Sequence, residues 1–303
     1  MDSLSPIRPF LSRLFISPEE RRLRAGWRLL SQMALLVVFL IALGLPAGLV
    51  YLVIPGVSMD ALLLISAVIS AFAITASVYL ARRALDRRSF TSLGLIWNRQ
   101  ALIDILVGIG ITGLMLGLVY LVERAAGWLD FQGFTWETES TGRVLASTLA
   151  ALIVFILVGW QEELLSRGYW LQNLRDGLNL AWGVLISSAF FALAHAANPN
   201  ASWEAMLGLF AGGLFLAYGY VRTRQLWLPI GLHIGWNLFE GTVYGFPVSG
   251  SPFFTLVRQT VQGPEWITGG DFGPEAGLII LPALLVGAGL IYLYTRSRFV
   301  RRA

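Results

Sequence analysis

Two adjacent glutamates and an arginine stand in a strongly apolar part of the chain, within the stretch GWQEELLSRGYW at residues 159–170. They follow directly after the apolar run VLASTLAALIVFILV. A charged side chain at the centre of a membrane helix costs about 2.5–3.5 kcal/mol on insertion scales. Charges retained at that cost indicate a functional site or a buried ion pair.

Helical spacing separates the two glutamates. Glu163 and Arg167 are four residues apart, so they share a helix face and can form an ion pair that offsets most of the cost of burying both. Glu162 points about 100° away from Glu163, on a face with Ser166 and Tyr169. Glu162 is therefore predicted to be the unpaired acid.

The chain contains two histidines, and both lie in apolar segments that also carry the remaining candidate residues. His195 follows Phe191 by four residues in FFALAHAANPN, and Asn237 follows His233 by four in LPIGLHIGWNLFEG. Each pair thus shares one helix face. Small residues near the histidines allow close helix approach, so we expect the acid, the two imidazoles and the amide to converge.

The depths of these groups along their helices can be compared at a rise of ~1.5 Å per residue. Glu162 lies ~20 Å from Arg175 and His195 lies ~24 Å from Asn179 on that rise. His233 lies only ~10 Å from Leu226. The first two depths agree, whereas the third requires a tilted or broken helix or a longer preceding loop.

The composition is that of an integral membrane protein. Apolar residues make up 56% of the chain, charged residues 13%, and the mean hydropathy is +0.68. The apolar runs do not alternate with polar residues, which excludes a transmembrane barrel. The sequence predicts an all-α membrane bundle of about eight spans of ~20 residues each, at 29–54, 61–81, 101–122, 144–173, 179–197, 203–221, 226–246 and 276–295.

The spans follow one another too closely for separate cores. We therefore predict a cytoplasmic tail at 1–28 and a single membrane-embedded domain at 29–303, with the candidate site in a core at 144–246. No removable signal peptide is recognised at the N-terminus.

Arginines orient the bundle, because basic residues of short loops collect on the cytoplasmic side. With the N-terminus inside, one face receives Arg8, Arg13, Arg21, Arg22, Arg24, Arg28, Arg82, Arg83, Arg87, Arg88, Arg99, Arg175, Arg222, Arg224, Arg296, Arg298, Arg301 and Arg302. The other face receives only Arg124, Arg143 and Arg258. We expect a multi-pass protein of the cytoplasmic membrane with both termini cytoplasmic. Because the basic residues form no single aromatic-interleaved patch, nucleic-acid binding is not expected.

Missing residue types exclude several chemistries. The chain has no cysteine and no lysine, so a cysteine nucleophile, a serine–lysine dyad and a lysine Schiff base are excluded. It has no HExxH motif of the common zinc proteases. It also lacks a rhomboid-like GxSG serine followed by histidine and a pair of intramembrane aspartates. A hydrolase built on this sequence must use glutamate and histidine.

The polar segments resemble a known family. EELLSR (Glu162, Glu163, Arg167), FALAH (Phe191, His195) and HIGWN (His233, Asn237) are similar, in this order, to the EExxxR, FxxxH and HxxxN motifs of the CPBP intramembrane proteases. This family includes the type II CAAX prenyl endopeptidases and bacteriocin-processing or immunity relatives. The resemblance covers about 150–245.

The resemblance implies a role for each of these residues. Glu162 activates a water molecule with His195 as its partner. His233 and Asn237 stabilise the oxyanion or assist proton transfer. Glu163 and Arg167 position Glu162 or support the structure. The implied substrate is a hydrophobic or prenylated peptide, cut near its C-terminus, and the implied surroundings are membrane lipid.

The water can be activated in two ways. Zn²⁺ could be held by Glu162, His195 and His233 with one open position, at distances of ~2.0–2.2 Å. Alternatively, Glu162 and His195 polarise the water directly, and His233 and Asn237 donate to the oxyanion. The amide of Asn237 beside His233 favours the metal-free mechanism. Glu240, seven residues after His233, could supply an extra carboxylate ligand, so the zinc mechanism stays possible. No cofactor is predicted beyond this zinc alternative.

Two functions without proteolysis stay open on the sequence. The same polar groups could belong to a non-catalytic immunity or scaffold protein of this fold. They could also form a proton or metal relay in a transporter. The two halves of the chain show no evident repeat, which weakens the transporter interpretation.

Overall fold

The computed structural model describes residues 14–17, 21–53, 57 and 59–300. Residues 1–13 and 18–20 of the predicted tail, together with Arg301 and Arg302, lie outside the described residues. Ten α-helices occur in the described part of the chain: α1 Ala25–Val53, α2 Met59–Ala84, α3 Arg99–Ala125, α4 Thr141–Glu163, α5 Leu171–Gly177, α6 Leu180–Ala194, α7 Trp203–Thr223, α8 Trp227–Asn237, α9 Glu265–Thr268 and α10 Ile280–Val300.

Two of these helices extend into wider turns. A π-helical segment, Leu164–Trp170, connects α4 to α5, so that Thr141–Gly177 forms one long helical run. A second π-helical segment, Leu238–Val243, follows α8. Two short strands, β1 (Leu129–Phe134) and β2 (Val257–Val261), form an antiparallel pair with Leu129 opposite Val261. The architecture is the predicted helix bundle with this small sheet in its loops.

Six of the described helical runs are long and apolar enough to cross a membrane: Ala25–Val53, Ala61–Ala84, Arg99–Ala125, Thr141–Gly177, Trp203–Thr223 and Ile280–Ser297. The other two predicted spans, 179–197 and 226–246, contain α6 with 15 residues and α8 with 11 residues. At ~1.5 Å per residue α6 reaches only ~22 Å, and α8 with the π-helical segment that continues it to Val243 reaches at most ~26 Å, less than the ~30 Å of a hydrocarbon core. The prediction of about eight spans is corrected to six on length and composition.

Helix α8 is the centre of the bundle. Every residue from Leu228 to Asn237 is buried, and α8 packs against α3, α4 and α7. Its contact with α3 is close because glycines face each other there. A Cβ added to Gly231 would lie 2.3 Å from the backbone oxygen of Ile105, and one added to Gly108 would lie 2.5 Å from the backbone nitrogen of Leu232. Helix α8 is thus a buried core helix, and a helix of this kind does not need the length of a membrane span.

The depth mismatch of His233 is explained by where α8 begins. Leu226, which precedes α8, is completely buried. Its backbone N–H donates to the carbonyl oxygen of Gly94, at 2.8 Å. The helix therefore starts at a residue that the loop around Gly94 covers, so Leu226 is not the exposed helix start that the depth count assumed.

Capping side chains fix the starts of the site-bearing helices. Ser140 accepts the Arg143 backbone N–H before α4, and Asn179 accepts the Trp182 backbone N–H before α6. Ser202 does the same for Ala205 before α7. Each cap satisfies one of the backbone donors that a helix leaves unpaired at its start.

Candidate functional site

Glu163, Arg167 and His233 form a buried polar chain in the middle of the bundle. The Arg167 guanidinium donates to Glu163 Oε1 at 2.7 Å, and His233 Nδ1 lies 2.8 Å from the same oxygen. A second N–H of Arg167 donates to the carbonyl oxygen of Gly213 in α7, at 2.9 Å. The side chains of Glu163 and Arg167 are almost completely inaccessible. The predicted ion pair is present, and it also fixes the orientation of the His233 ring.

Glu162 faces the two histidines from the same helix. Its Oε2 atom lies 3.7 Å from His195 Nε2 and 3.7 Å from His233 Nε2. Within the described part of the chain this oxygen has no hydrogen-bond partner. One carboxylate oxygen is therefore directed at two imidazole nitrogens, which is the arrangement of a general base with its neighbours.

His195 sits at the C-terminal end of α6, where the helix gives way to a turn. Its Nδ1–H donates to the carbonyl oxygen of Phe191 at 2.8 Å, which leaves Nε2 as the nitrogen that faces Glu162. This hydrogen bond fixes the tautomer, because a carbonyl oxygen can only accept.

Phe191 fills the space between the charged groups and the histidines. Its ring centroid lies 4.9 Å from that of His195 and 5.9 Å from that of His233. The Arg167 guanidinium carbon lies 4.5 Å from the same centroid, within cation–π range. The aromatic residue of the FALAH stretch thus packs three site residues into one arrangement.

The π-helical segment changes which residues share the face of Glu162. Ser166 remains near Glu162 in a common cavity wall. Tyr169, which α-helical spacing predicts on the same face, is instead completely buried, with its hydroxyl 3.5 Å from Asp86 Oδ1 in the loop after α2. The prediction for Tyr169 is wrong because a π turn holds more residues than an α turn, so side chains beyond Leu164 are rotated.

A cavity of about 160 Å³ opens beside Glu162, and we call it the central cavity. The polar side chains in its wall include Glu162, His195, His233, Asn237, Ser249 and Glu275. Four of the six candidate site residues therefore meet at one space. Glu163 and Arg167 do not line it; Glu163 contacts His233 on the side away from the cavity, and Arg167 contacts Glu163.

A larger, mostly apolar cavity of about 590 Å³ adjoins the central cavity, and we call it the side cavity. Its wall is formed by α1, α2, α4 with its π segment, and α6. The two cavities share Glu162, Phe191, His195 and Asn198 in their walls. A hydrophobic group in the side cavity would thus lie directly next to the candidate base.

Two residues of the central cavity carry no signal in the sequence motifs. Glu275 lies in a short 3₁₀ turn, Pro274–Ala276, before α10, and Ser249 lies in the loop after α8. The Ser249 hydroxyl donates to Glu275 Oε2 at 2.6 Å. Burial raises the pKa of the Glu275 carboxyl, against the opposite effects of the Ser249 hydrogen bond and of His195 and His233. Only the tertiary structure brings this loop to the site, because no periodic pattern connects it to the motifs.

The donor set of the zinc alternative, Glu162, His195 and His233, lines the central cavity, with Glu162 Oε2 3.7 Å from the Nε2 atoms of both histidines. Among residues 14–17, 21–53, 57 and 59–300, no three His, Asp or Glu side chains are arranged to hold a metal ion. Glu240, the extra carboxylate that kept the metal open, is fully buried beneath the site and does not line the central cavity. The zinc alternative therefore loses the extra carboxylate that Glu240 would supply.

Comparison with known proteins finds matches in the region that carries the candidate site residues. Residues 144–239 match the family model described as type II CAAX prenyl endopeptidase Rce1-like. The Bacillus subtilis (strain 168) protein named "Putative membrane peptidase YdiL" is 30% identical over 123 residues, which are 39% of this chain and 48% of that protein. The chain thus spans about half the length of this curated relative. No solved structure shows a significant match.

The six candidate residues can be compared directly with the matched stretch. It begins at the start of α4 and ends just after α8, so it covers the helices that build the polar chain and the central cavity. All six residues fall within this matched stretch, which is similar to the type II CAAX prenyl endopeptidases, and this similarity supports a protease of the CPBP type.

Proposed function

We propose that this protein is an intramembrane endopeptidase that hydrolyses a peptide bond near the C-terminus of a hydrophobic or prenylated substrate. The observation that supports this most directly is the position of Glu162 Oε2, which faces the Nε2 atoms of both His195 and His233 at 3.7 Å. A carboxylate in that position can take a proton from water while the imidazoles orient it.

The reaction begins with a water molecule held near Glu162 and His195. Glu162 Oε2 accepts one proton of this water, and the water oxygen attacks the substrate carbonyl carbon. Because His195 Nδ1 is occupied by Phe191, the Nε2 lone pair is available to accept the second hydrogen of the water in a hydrogen bond. The two groups thus share the work of orienting the nucleophile.

The developing oxyanion requires donors on the other side of the carbonyl. His233 and Asn237 line the central cavity and supply an imidazole N–H and an amide N–H. His233 can donate from Nε2 when it is protonated, and the Glu163 carboxylate at Nδ1 stabilises that imidazolium. Arg167 fixes Glu163 in turn, so both are positioning residues.

The side cavity suits the hydrophobic part of such a substrate. Its wall is mostly apolar, including Leu36, Ile74, Leu165 and Phe190. A prenyl group or a run of apolar side chains placed there gains about 25 cal/mol for each Å² removed from water. Lipid is the expected alternative occupant when no substrate is bound.

We infer that the protein lies in the cytoplasmic membrane with both termini on the cytoplasmic side. Arg82, Arg83, Arg87 and Arg88 at the end of α2 and the arginines after α10 support this orientation, because basic loops are retained inside.

Turnover by matched variants tests the proposed function. Purified protein in detergent micelles is incubated with fluorescence-quenched apolar peptides, with and without a prenylated cysteine, and cleavage is mapped by mass spectrometry. We expect the wild-type protein to cut and Glu162→Gln to lose at least ~100-fold in rate, since general base catalysis contributes roughly 10²–10⁴-fold. Equal cleavage by both proteins, or ion flux in proteoliposomes without any cleavage, would contradict a protease.

Removal of metal tests the second part of the mechanism. The protein is dialysed against a strong chelator, and its peptide cleavage and zinc content are measured before and after. We expect activity to be retained at sub-stoichiometric zinc. One tightly held zinc per chain, whose removal stops turnover and whose return restores it, would show that Glu162, His195 and His233 are metal ligands.

A further inference from the structure

Glu275 lies outside the stretch matched by the family model, yet its side chain belongs to the wall of the central cavity. Its backbone is held tightly against α7, because a Cβ on Gly208 would meet the Glu275 carbonyl oxygen. Its carboxyl group is held by the Ser249 hydroxyl at 2.6 Å. An acid fixed at both ends and directed into a reaction cavity has a defined position relative to a bound substrate.

One further chemical task is the protonation of the leaving group, for which Glu162, once protonated, and Glu275 are the two carboxyl candidates in the central cavity. Glu162 and His195 activate the water, and His233 and Asn237 stabilise the oxyanion. The amine that leaves when the peptide bond breaks also needs a proton, because an amide anion is a very poor leaving group. His195 already uses its Nδ1–H on the Phe191 carbonyl oxygen, and the amide of Asn237 is not an acid.

We propose that Glu275 is a further catalytic residue of this site, which donates a proton to the leaving amine from the wall it shares with Ser249. This inference rests on the proposed proteolytic function. The side chain of Glu275 is buried, and this burial raises the pKa of its carboxyl group, against the opposite effects of the Ser249 hydrogen bond and of His195 and His233. Glu240 is a second buried carboxyl, and its burial together with the charge of Glu275 raises the pKa of Glu240. Two such groups near one cavity do not both ionise readily.

The proton balance of the step is complete. Water adds its oxygen to the carbonyl carbon and gives one proton to Glu162. The carbon–nitrogen bond breaks, and the nitrogen keeps the electron pair and takes a proton from Glu275. After the products leave, the proton on Glu162 is returned through water to Glu275, so both groups regain their starting states and one water has been consumed.

Dependence on the leaving group tests this role. The first substrate is a peptide that the wild-type protein cuts at one mapped bond, and the second is the same peptide with a thioester at that bond. A thiolate with a pKa near ~8.5 leaves without a proton donor. For Glu275→Gln, we expect hydrolysis of the amide to fall by at least ~100-fold and that of the thioester by less than ~3-fold, in line with the size of general acid catalysis.

Two other variants complete the comparison. Ser249→Ala removes the hydrogen bond that fixes Glu275 and keeps the acid, so it should slow the amide selectively but less severely. It also tests the proposal if Glu275→Gln does not fold, as judged by thermal unfolding in detergent. Glu204→Gln, a carboxyl in the first turn of α7 outside the central cavity, should leave both rates unchanged.

The possible results separate this inference from the proposed function. An equal loss on amide and thioester would assign Glu275 a structural role. Unchanged amide hydrolysis in folded Glu275→Gln would show that Glu162 returns the proton itself. If the wild-type protein cuts neither substrate in a Glu162-dependent way, the proposed function fails, and the role of Glu275 fails with it.

Discussion

Glu162 and Glu163 are neighbours in the chain with opposite surroundings. Glu163 is enclosed by Arg167 and His233, whereas one oxygen of Glu162 faces a cavity. We expect Glu163→Gln to lower the stability of the protein, because it leaves the Arg167 charge buried without its counter-ion. Breaking a buried pair in this way typically costs about 3–5 kcal/mol. Thermal unfolding and yield in detergent would measure the loss.

Glu162→Gln is the matched control for this prediction. It changes the adjacent residue by the same atoms, keeps the shape of the side chain and removes no ion pair with arginine. Its thermal stability should therefore stay close to that of the wild-type protein while its turnover is lost. Equal thermal stability of the two variants together with equal loss of activity would argue against the division of roles between the two glutamates.

At the scale of elements, the site depends on how closely α8 approaches α3. Gly108 on α3 has backbone atoms of α8 within 2.5–2.8 Å of where a Cβ would stand. We expect Gly108→Ala to push the two helices apart and to destabilise the protein by about 1–3 kcal/mol, as overpacking does. Peptide cleavage should fall as well, because α8 carries His233 and Asn237. Unfolding in detergent and turnover are measured on the same preparation.

The same helix offers a control two residues away. A Cβ on Gly110 would meet nothing within 4 Å. Gly110→Ala should therefore be neutral or should stabilise the protein by up to ~1 kcal/mol, since alanine favours a helix over glycine. If both alanine variants behave alike, the close approach of α3 and α8 does not limit the fold.

At the scale of the whole molecule, the orientation in the membrane decides which side a substrate comes from. With both termini cytoplasmic, reporter fusions after Arg88 and after Arg302 should report the inside. Fusions within 125–140 or 250–272, which include β1 and β2, should report the outside. The arginine distribution gives the physical reason. If the two groups of fusions report the same side, this orientation is wrong.

The short helices α6 and α8 end inside the bundle. Neither crosses the membrane on its own length, and the last residue of α6, Ala194, precedes His195 in the turn. The imidazole of His195, a candidate catalytic group, is thus held at a helix end within the bundle. In a membrane, such irregular backbone is tolerated where protein or a cavity surrounds it.

Composition and spacing alone determined much of this protein. The apolar content predicted a helical membrane bundle, and the four-residue spacing predicted the pairing of Glu163 with Arg167 and left Glu162 free. These features are local, because hydropathy and helix periodicity depend only on residues close in the chain.

Only the tertiary structure decided the rest. The shortness of α8, its start at buried Leu226 and the arrival of Glu275 at the central cavity depend on which elements pack together. The burial of Tyr169 away from Glu162 depends on a π-helical segment, which the sequence pattern does not distinguish from an α-helix. Contacts between distant segments arise from packing, and packing produces no periodic sequence pattern in the loop that carries Glu275.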